Sequence, residues 1–156
     1  EENLALAYTR KASPSFFALN KKDSSYFREV LSTLGMGLED RMKTKIGLLS
    51  GGQRQAASLL MATIAEPELL LLDEHTAALD PGAAEKVMAL TKKIVEENKI
   101  TTLMITHDME YALEYGSRTI MLDSGKIVMD LTGKEREEMT TGKLAELFYG
   151  KAHKRG

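Results

Sequence analysis

The sequence predicts an α/β protein with a parallel sheet and crossover helices. Three short apolar segments carry this prediction, at 68–73, 100–106 and 118–122. Segments with helical periodicity separate them, at 80–98 and 108–116. Because a helix that returns the chain to the same edge of a sheet joins parallel strands, this order favours one parallel sheet with helices on its faces.

The first part of the chain, residues 1–65, is expected to form an α-helical subdomain, and residues 66–156 the part that contains the sheet. Residues 2–11 have a helical pattern, and residues 23–35 have a clearer one that Gly35 ends. Residues 12–22 are expected to connect these two helices. In the second helix one face is apolar, and it consists of Tyr26, Phe27, Val30, Leu31 and Leu34.

The first two strands are expected to be buried on both faces. The segment at 68–73 is a continuous apolar run, which is typical of a strand inside a parallel sheet, and the segment at 100–106 is similar. The helix between them begins at Asp80, a good N-cap residue, and Pro81 suits its first helical position. Both boundaries of this unit are therefore predicted by local chemistry.

The rest of the chain is predicted to contain a helix, a hairpin and a final helix. Gly116 closes the helix at 108–116. The strands at 118–122 and 126–131 flank a tight Asp-Ser-Gly turn. The pattern at 141–154 indicates a C-terminal helix with a basic end.

Composition excludes several classes of protein. The chain has 156 residues, within the range of about 100–200 residues that is usual for one domain. Its formal net charge of −2 gives no sign of a nucleic-acid-binding surface. It has no cysteine, so disulfides and cysteine-ligated zinc are excluded. Because it begins at Glu1 without an initiating methionine, we expect it to be part of a longer protein.

Two adjacent carboxylates follow the first strand, where ligands bind in open parallel sheets. Mg²⁺ takes oxygen ligands and usually keeps several waters, so Asp73 is a candidate ligand. Glu74 is a candidate base that orients and deprotonates an attacking water. The alternative is that the strand ends here and polar residues resume, with Glu74 merely solvated.

The second strand ends in a similar polar group, Thr106, His107 and Asp108. In a parallel sheet this end is an expected neighbour of Asp73 and Glu74. His107 can donate to a phosphate oxygen and so register whether a γ-phosphate is present. The alternative is that His107 and Asp108 simply begin the next helix, with Asp108 as its cap.

A third candidate site is the segment LSGGQRQ at 49–55, which precedes an apolar helix. A helix N-terminus carries unpaired N–H groups and a partial positive charge. Gly51 and Gly52 allow a phosphate to approach the backbone closely, and Ser50 and Gln53 add polar donors. The alternative is a plain serine cap with a loose turn.

Taken together, these segments resemble the ATP-binding cassette (ABC) ATPases. LSGGQ at 49–53, LLLLDE at 69–74, AALD at 77–80 and ITHD at 105–108 match the family's signature motif, Walker B strand, D-loop and H-loop, in that order. The resemblance extends from the first helices to about residue 131. It implies a P-loop NTPase core with a parallel sheet, together with an α-helical signature subdomain.

The resemblance also implies ATP and Mg²⁺ as cofactors and a head-to-tail pair of subunits that encloses two ATP molecules. Asp73 would bind Mg²⁺, Glu74 would be the catalytic carboxylate, and His107 would contact the γ-phosphate. Asp80 would couple the two sites. The residues that would contact the nucleotide held by the partner subunit are Ser50, Gly51, Gly52 and Gln53.

One part of the family pattern is missing. The P-loop, G-x-x-x-x-G-K-[ST], does not occur, because none of the Gly-Lys pairs is followed by Ser or Thr. The core is therefore expected to be incomplete, with unpaired strand edges where the P-loop strand belongs. We expect this chain to be inactive alone. There are smaller departures as well: Ala56 and Ala57 follow GGQRQ, and His75 stands where a proline is common.

The resemblance suggests the ATP-hydrolysing subunit of a transporter, in particular a bacterial solute importer driven by ATP-dependent dimer closure. Its partners would be a second ABC ATPase subunit and transmembrane permease subunits, with no nucleic acid. It would lie in the cytoplasm, peripheral to the inner face of the cell membrane. The alternatives are a soluble ABC ATPase of translation or DNA repair, and a non-enzymatic module that supplies only the signature face.

Overall fold

The computed structural model describes residues 1–9 and 21–152, and the chain divides into two compact units, Glu1–Met104 and Ile105–Gly156. The elements up to the boundary are, in chain order, α1 (Glu2–Tyr8), α2 (Lys21–Ser32), a 3₁₀ turn at Ile46–Leu48, α3 (Gly51–Thr63), β1 (Leu69–Asp73), α4 (Pro81–Asn98) and β2 (Thr101–Ile105). The elements that follow are α5 (Met109–Glu114), β3 (Arg118–Asp123), β4 (Lys126–Thr132), α6 (Gly133–Glu137) and α7 (Thr141–Ala152).

The predicted helices and strands are confirmed wherever the structure describes them. Parts of the first and last predicted helices, and most of the predicted connection at 12–22, lie outside the described residues. Lys21 and Lys22 already belong to α2 and not to the connection. The 3₁₀ turn and α6 were not predicted, because three and five residues are too few for helical periodicity to show.

The core of the first unit joins the helices to the first strand. Phe27 of α2 and Leu59 of α3 are buried, as are Leu70 and Leu72 of β1. One continuous apolar cluster contains all four side chains. The boundary predicted between residues 65 and 66 falls inside this unit, and the division into subdomains there stays a prediction.

The two first strands form a small parallel sheet, and only one of its faces is covered within the described residues. The prediction that both strands are buried on both faces is wrong. Leu70 and Leu72 point into the core, and Met104 of β2 packs against the same core. The residues that alternate with them are exposed by about half or more of their surface: Leu69 by 53%, Leu71 by 64%, Leu103 by 54% and Ile105 by 52%.

The second sheet is the antiparallel hairpin of β3 and β4. Ser124 and Gly125 at its turn have φ angles of 51° and 75°. Left-handed conformations at both central residues are what the type I′ hairpin turn requires, and glycine adopts them without strain. Arg118 and Asp130 form an ion pair across the hairpin, with Nε donating to Oδ1 at 2.8 Å.

The described helices are also too short or too polar for a membrane-spanning role. None of them is long and apolar enough to cross a bilayer.

Candidate functional site

The two predicted carboxylates stand at the carboxyl end of β1, where a tight turn begins. Asp73 is the last residue of the strand, and both Asp73 and Glu74 are exposed. Glu74 has a φ of 43°, in the left-handed region that residues other than glycine rarely adopt. Its carbonyl accepts the Ala77 N–H at 3.0 Å, and the Thr76 carbonyl accepts the Leu79 N–H at 3.1 Å. The backbone that follows the carboxylates is therefore hydrogen-bonded into a defined path.

The residue after Glu74 is attached to α4. His75 is half-buried, and its Nε2 lies 3.2 Å from the hydroxyl oxygen of Thr91. Burial lowers the pKa of His75 below its ordinary value, because the surroundings solvate an imidazolium less well than water does. Burial therefore favours the neutral ring over the imidazolium. Sequence reasoning noticed His75 only as a substitution and missed Thr91 altogether.

The signature segment begins α3 with a capping box. The Ser50 hydroxyl oxygen accepts the Gln53 N–H at 3.3 Å, and the Gln53 Oε1 accepts the Ser50 N–H at 3.2 Å. The Gln53 amide also donates through Nε2 to the Met36 carbonyl at 3.0 Å. The interpretation of Ser50 as a cap is confirmed, while the contacts of this segment with a nucleotide stay a prediction.

The two glycines of the signature segment are explained by close packing within the chain. A β-carbon added at Gly51 would lie 3.1 Å from Leu79 Cδ2, and one added at Gly52 would lie 3.2 Å from Ala83 Cβ. Real β-carbons rarely come so close to other atoms. The doubled glycine thus lets the start of α3 approach the turn after β1 and the start of α4. The alternative of a loose turn is wrong, because this segment is packed closely.

Asp80 occupies the junction between that turn and α4. Its Oδ1 accepts the Ala83 N–H at 3.0 Å, and Pro81 is the first helical residue, as predicted. The structure therefore brings Asp80 and the signature residues to neighbouring helix starts, since Gly52 faces Ala83. A role for Asp80 in coupling two sites stays a prediction.

His107 belongs to the second unit, whereas Asp73 and Glu74 belong to the first. His107 is exposed and directly precedes the cap of α5. That cap is Asp108, whose Oδ1 accepts the N–H groups of Glu110 at 2.9 Å and Tyr111 at 3.1 Å. The reading of Asp108 as a cap is confirmed, and the contact of His107 with a phosphate stays a prediction.

The carboxylates suit an ion that keeps part of its water shell. Within residues 1–9 and 21–152, no group of three or more His, Asp or Glu side chains is arranged around a common metal position. Asp73 would therefore be one ligand among waters and phosphate oxygens, which is the usual arrangement for Mg²⁺. The donor set fits Mg²⁺ carried by a phosphate ligand and does not form a closed metal cage.

Comparison with known proteins shows the family to which the chain belongs. Residues 1–77 match the family model for ABC transporters. The tyrosine transport ATP-binding protein of Clostridioides difficile is 43% identical over 147 residues, which cover 94% of this chain and 59% of that protein. The phosphonates import ATP-binding protein PhnC 2 of Halalkalibacterium halodurans is 38% identical over 109 residues, covering 70% of this chain and 45% of that protein.

Among solved structures, a metal-chelate type ABC transporter in an inward-facing conformation is similar, with a TM-score of 0.73 and 26% identity. The match covers 95% of this chain and 57% of that one. The fold is that of an ABC ATPase domain, as predicted. The chain belongs to the ABC transporter family, and it spans 59% of the length of its tyrosine transport relative.

Proposed function

We propose that this chain forms part of the ATP-hydrolysing subunit of an ABC importer for a small solute. The observation that carries the proposal is the pair Asp73 and Glu74 at the carboxyl end of β1, on a turn that leads to the capped start of α4. The similarity to phosphonates and methionine import ATP-binding proteins, and to a tyrosine transport ATP-binding protein, supports the choice of an importer.

The proposed roles follow from the position and chemistry of each side chain. Asp73 holds Mg²⁺ together with waters and phosphate oxygens, and the ion neutralises phosphate charge. Glu74 takes the proton of the attacking water. His107 donates to a phosphate oxygen. No P-loop sequence is present, so the cradle for the phosphates comes from a segment outside these residues or from another chain.

The signature segment acts on the partner side of a dimer. The capped start of α3 faces a nucleotide held by a second ATPase subunit, and its contacts come from Ser50, Gly51, Gly52 and Gln53. Gln53 also holds this segment in shape. Asp80 couples the two sites through the neighbouring start of α4. The further partners are transmembrane permease subunits, which place the protein at the cytoplasmic face of the membrane.

The test has two parts, binding and hydrolysis. The 156-residue chain is titrated with fluorescent ATP and Mg²⁺ into the millimolar range, and we expect no saturable binding. The protein at its natural length is expected to bind and hydrolyse ATP. In that protein Glu74→Gln should retain binding and lower the hydrolysis rate by about 10²–10⁴-fold, as expected for loss of a general base.

A matched control is Glu85→Gln, which neutralises an exposed glutamate on α4 and should leave hydrolysis unchanged. Undiminished hydrolysis in Glu74→Gln contradicts the role of Glu74. Saturable micromolar binding by the 156-residue chain that Asp73→Asn abolishes contradicts the expected inactivity of this chain alone.

The absence of a P-loop favours a second candidate, a module without enzymatic activity that supplies only the signature face. In that case the protein as the cell makes it does not hydrolyse ATP alone. It instead raises the hydrolysis rate of a cassette that has a P-loop but a disabled signature segment, and Ser50→Ala weakens this effect.

A further inference from the structure

We propose that His75, held by Thr91, is a positioning residue that fixes the backbone carrying Glu74. The inference rests on the proposed function, because it assumes that Glu74 acts on the attacking water. It concerns one residue in the turn after β1 and one on α4, which are 16 positions apart in the sequence. Their contact links the candidate catalytic carboxylate to α4.

The contact has a defined direction. The Thr91 hydroxyl donates its only hydrogen to the Val87 carbonyl at 2.8 Å. Towards His75, 3.2 Å away, the same oxygen can therefore only accept a hydrogen bond. It follows that His75 carries a hydrogen on Nε2 and donates it to Thr91.

The residue that receives this bond is held firmly. Thr91 is 5% exposed, and Val87 and Met88 of the same helix are exposed by 0% and 1%. Tightly packed interiors transmit displacements and do not absorb them. The Thr91 hydroxyl is therefore a fixed point against which the turn after β1 is held.

The contact between His75 and Thr91 holds the backbone conformation of Glu74. The left-handed φ of 43° at Glu74 persists only if the surrounding structure maintains it. The bond from Ala77 to the Glu74 carbonyl is one restraint, and the side chain of His75 is the next. Loss of the contact between His75 and Thr91 would let the peptide after Glu74 turn towards ordinary backbone angles and carry the carboxylate with it.

The first measurement is spectroscopic and needs no ATP. Imidazole ¹⁵N NMR, recorded on the protein at its natural length, should show a hydrogen on Nε2 of His75, as in the Nε2–H tautomer. Thr91→Val removes the accepting oxygen while keeping the shape of the side chain, and it should give a mixture of tautomers. Thr91→Ser keeps the oxygen and should retain the hydrogen on Nε2. An Nδ1–H tautomer in the unmodified protein overturns the inference.

The second measurement is steady-state ATP hydrolysis with the same variants. Thr91→Val should lower kcat by about 10- to 100-fold, since small displacements of a catalytic group have effects of this size, and it should leave KM for ATP unchanged. Thr91→Ser should restore kcat. The matched control is Thr63→Val, because Thr63 is also buried in a helix and donates to a backbone carbonyl, that of Leu59, at 2.9 Å.

The outcomes separate this inference from the proposed function. If Glu74→Gln abolishes hydrolysis while Thr91→Val leaves kcat unchanged, positioning by His75 is wrong and the proposed function stands. If Glu74→Gln has no effect, the proposed function fails, and with it the reason for positioning Glu74. Should Thr91→Val unfold the protein, His75→Ala removes the other end of the contact at a half-buried site. An unchanged kcat in His75→Ala overturns the inference equally.

Discussion

Replacing Gly52 by alanine should destabilise the protein, although alanine is ordinarily the better helix residue. The added β-carbon would lie 3.2 Å from Ala83 Cβ and 3.4 Å from Met36 Cε. Met36 can move its terminal methyl group, but the β-carbon of Ala83 is fixed to the backbone of α4. The strain can therefore be relieved only by separating the starts of α3 and α4 by a few tenths of an ångström.

Two opposing contributions determine the size of this effect. Alanine in place of glycine favours a helix by at most about 1 kcal/mol. Extra atoms in a closely packed contact typically cost about 1–3 kcal/mol. We therefore expect the free energy of unfolding of Gly52→Ala to fall by about 1 kcal/mol. Gly51→Ala should be close to neutral, because the atom it meets is Leu79 Cδ2, at the end of a flexible side chain.

A double-mutant cycle measured by urea unfolding tests the explanation. Ala83→Gly alone should cost up to about 1 kcal/mol in helix propensity. Combined with Gly52→Ala, it removes the opposing methyl group, so the double variant should be more stable than the sum of the single effects by about 1–2 kcal/mol. Additive effects of the two substitutions, or a Gly52→Ala protein at least as stable as the original, would refute the close-packing account.

Two further predictions concern a cap and an ion pair. Ser50→Ala should lower the free energy of unfolding, measured in urea, by about 1 kcal/mol. Ser50→Asp keeps an accepting oxygen, so its free energy of unfolding should match that of the original protein within a few tenths of a kcal/mol. Equal losses in the two variants contradict the assignment of Ser50 as a cap. Hydrogen bonding to Arg118 lowers the pKa of Asp130, so Arg118→Ala should raise that pKa to the ordinary value in a carboxyl NMR titration. The pKa of Asp130 is lower in the folded than in the unfolded protein. The stabilisation by this ion pair is therefore present above about pH 4 and is lost as the pH falls through the lowered pKa. An Asp130 pKa that Arg118→Ala leaves unchanged contradicts this cause.

The parts of the fold that the sequence predicted are those that local chemistry determines. Asp80 and Asp108 are helix caps because an aspartate before an apolar periodic segment satisfies free N–H groups a few residues away. The turn at Ser124 and Gly125 depends on two residues that can adopt left-handed angles. Each of these assignments needs only neighbours within about four positions.

The burial of the strands was not predictable in the same way. The run of leucines at 69–72 is equally compatible with a strand covered on one face or on two. What covers a face is decided by elements far away in the sequence. Of the four leucines, only Leu70 and Leu72 belong to the buried core of the first unit. The same limit applies to Gly52 with Ala83 and to His75 with Thr91, which come together only when β1 and α4 are in place.

The polar side chains of the signature segment already form hydrogen bonds within the chain. The resemblance assigns Ser50 and Gln53 alike to a nucleotide held by the partner. In the structure both ends of the Gln53 amide are already used, one by the Ser50 N–H and the other by the Met36 carbonyl. The capping box uses Ser50 only as an acceptor through its side chain, so the hydroxyl hydrogen takes no part in the cap. Phosphate contacts by the Ser50 hydroxyl and by Gln53 are therefore both compatible with the folded segment, because the bond to the Met36 carbonyl uses only one of the two Nε2 hydrogens of Gln53.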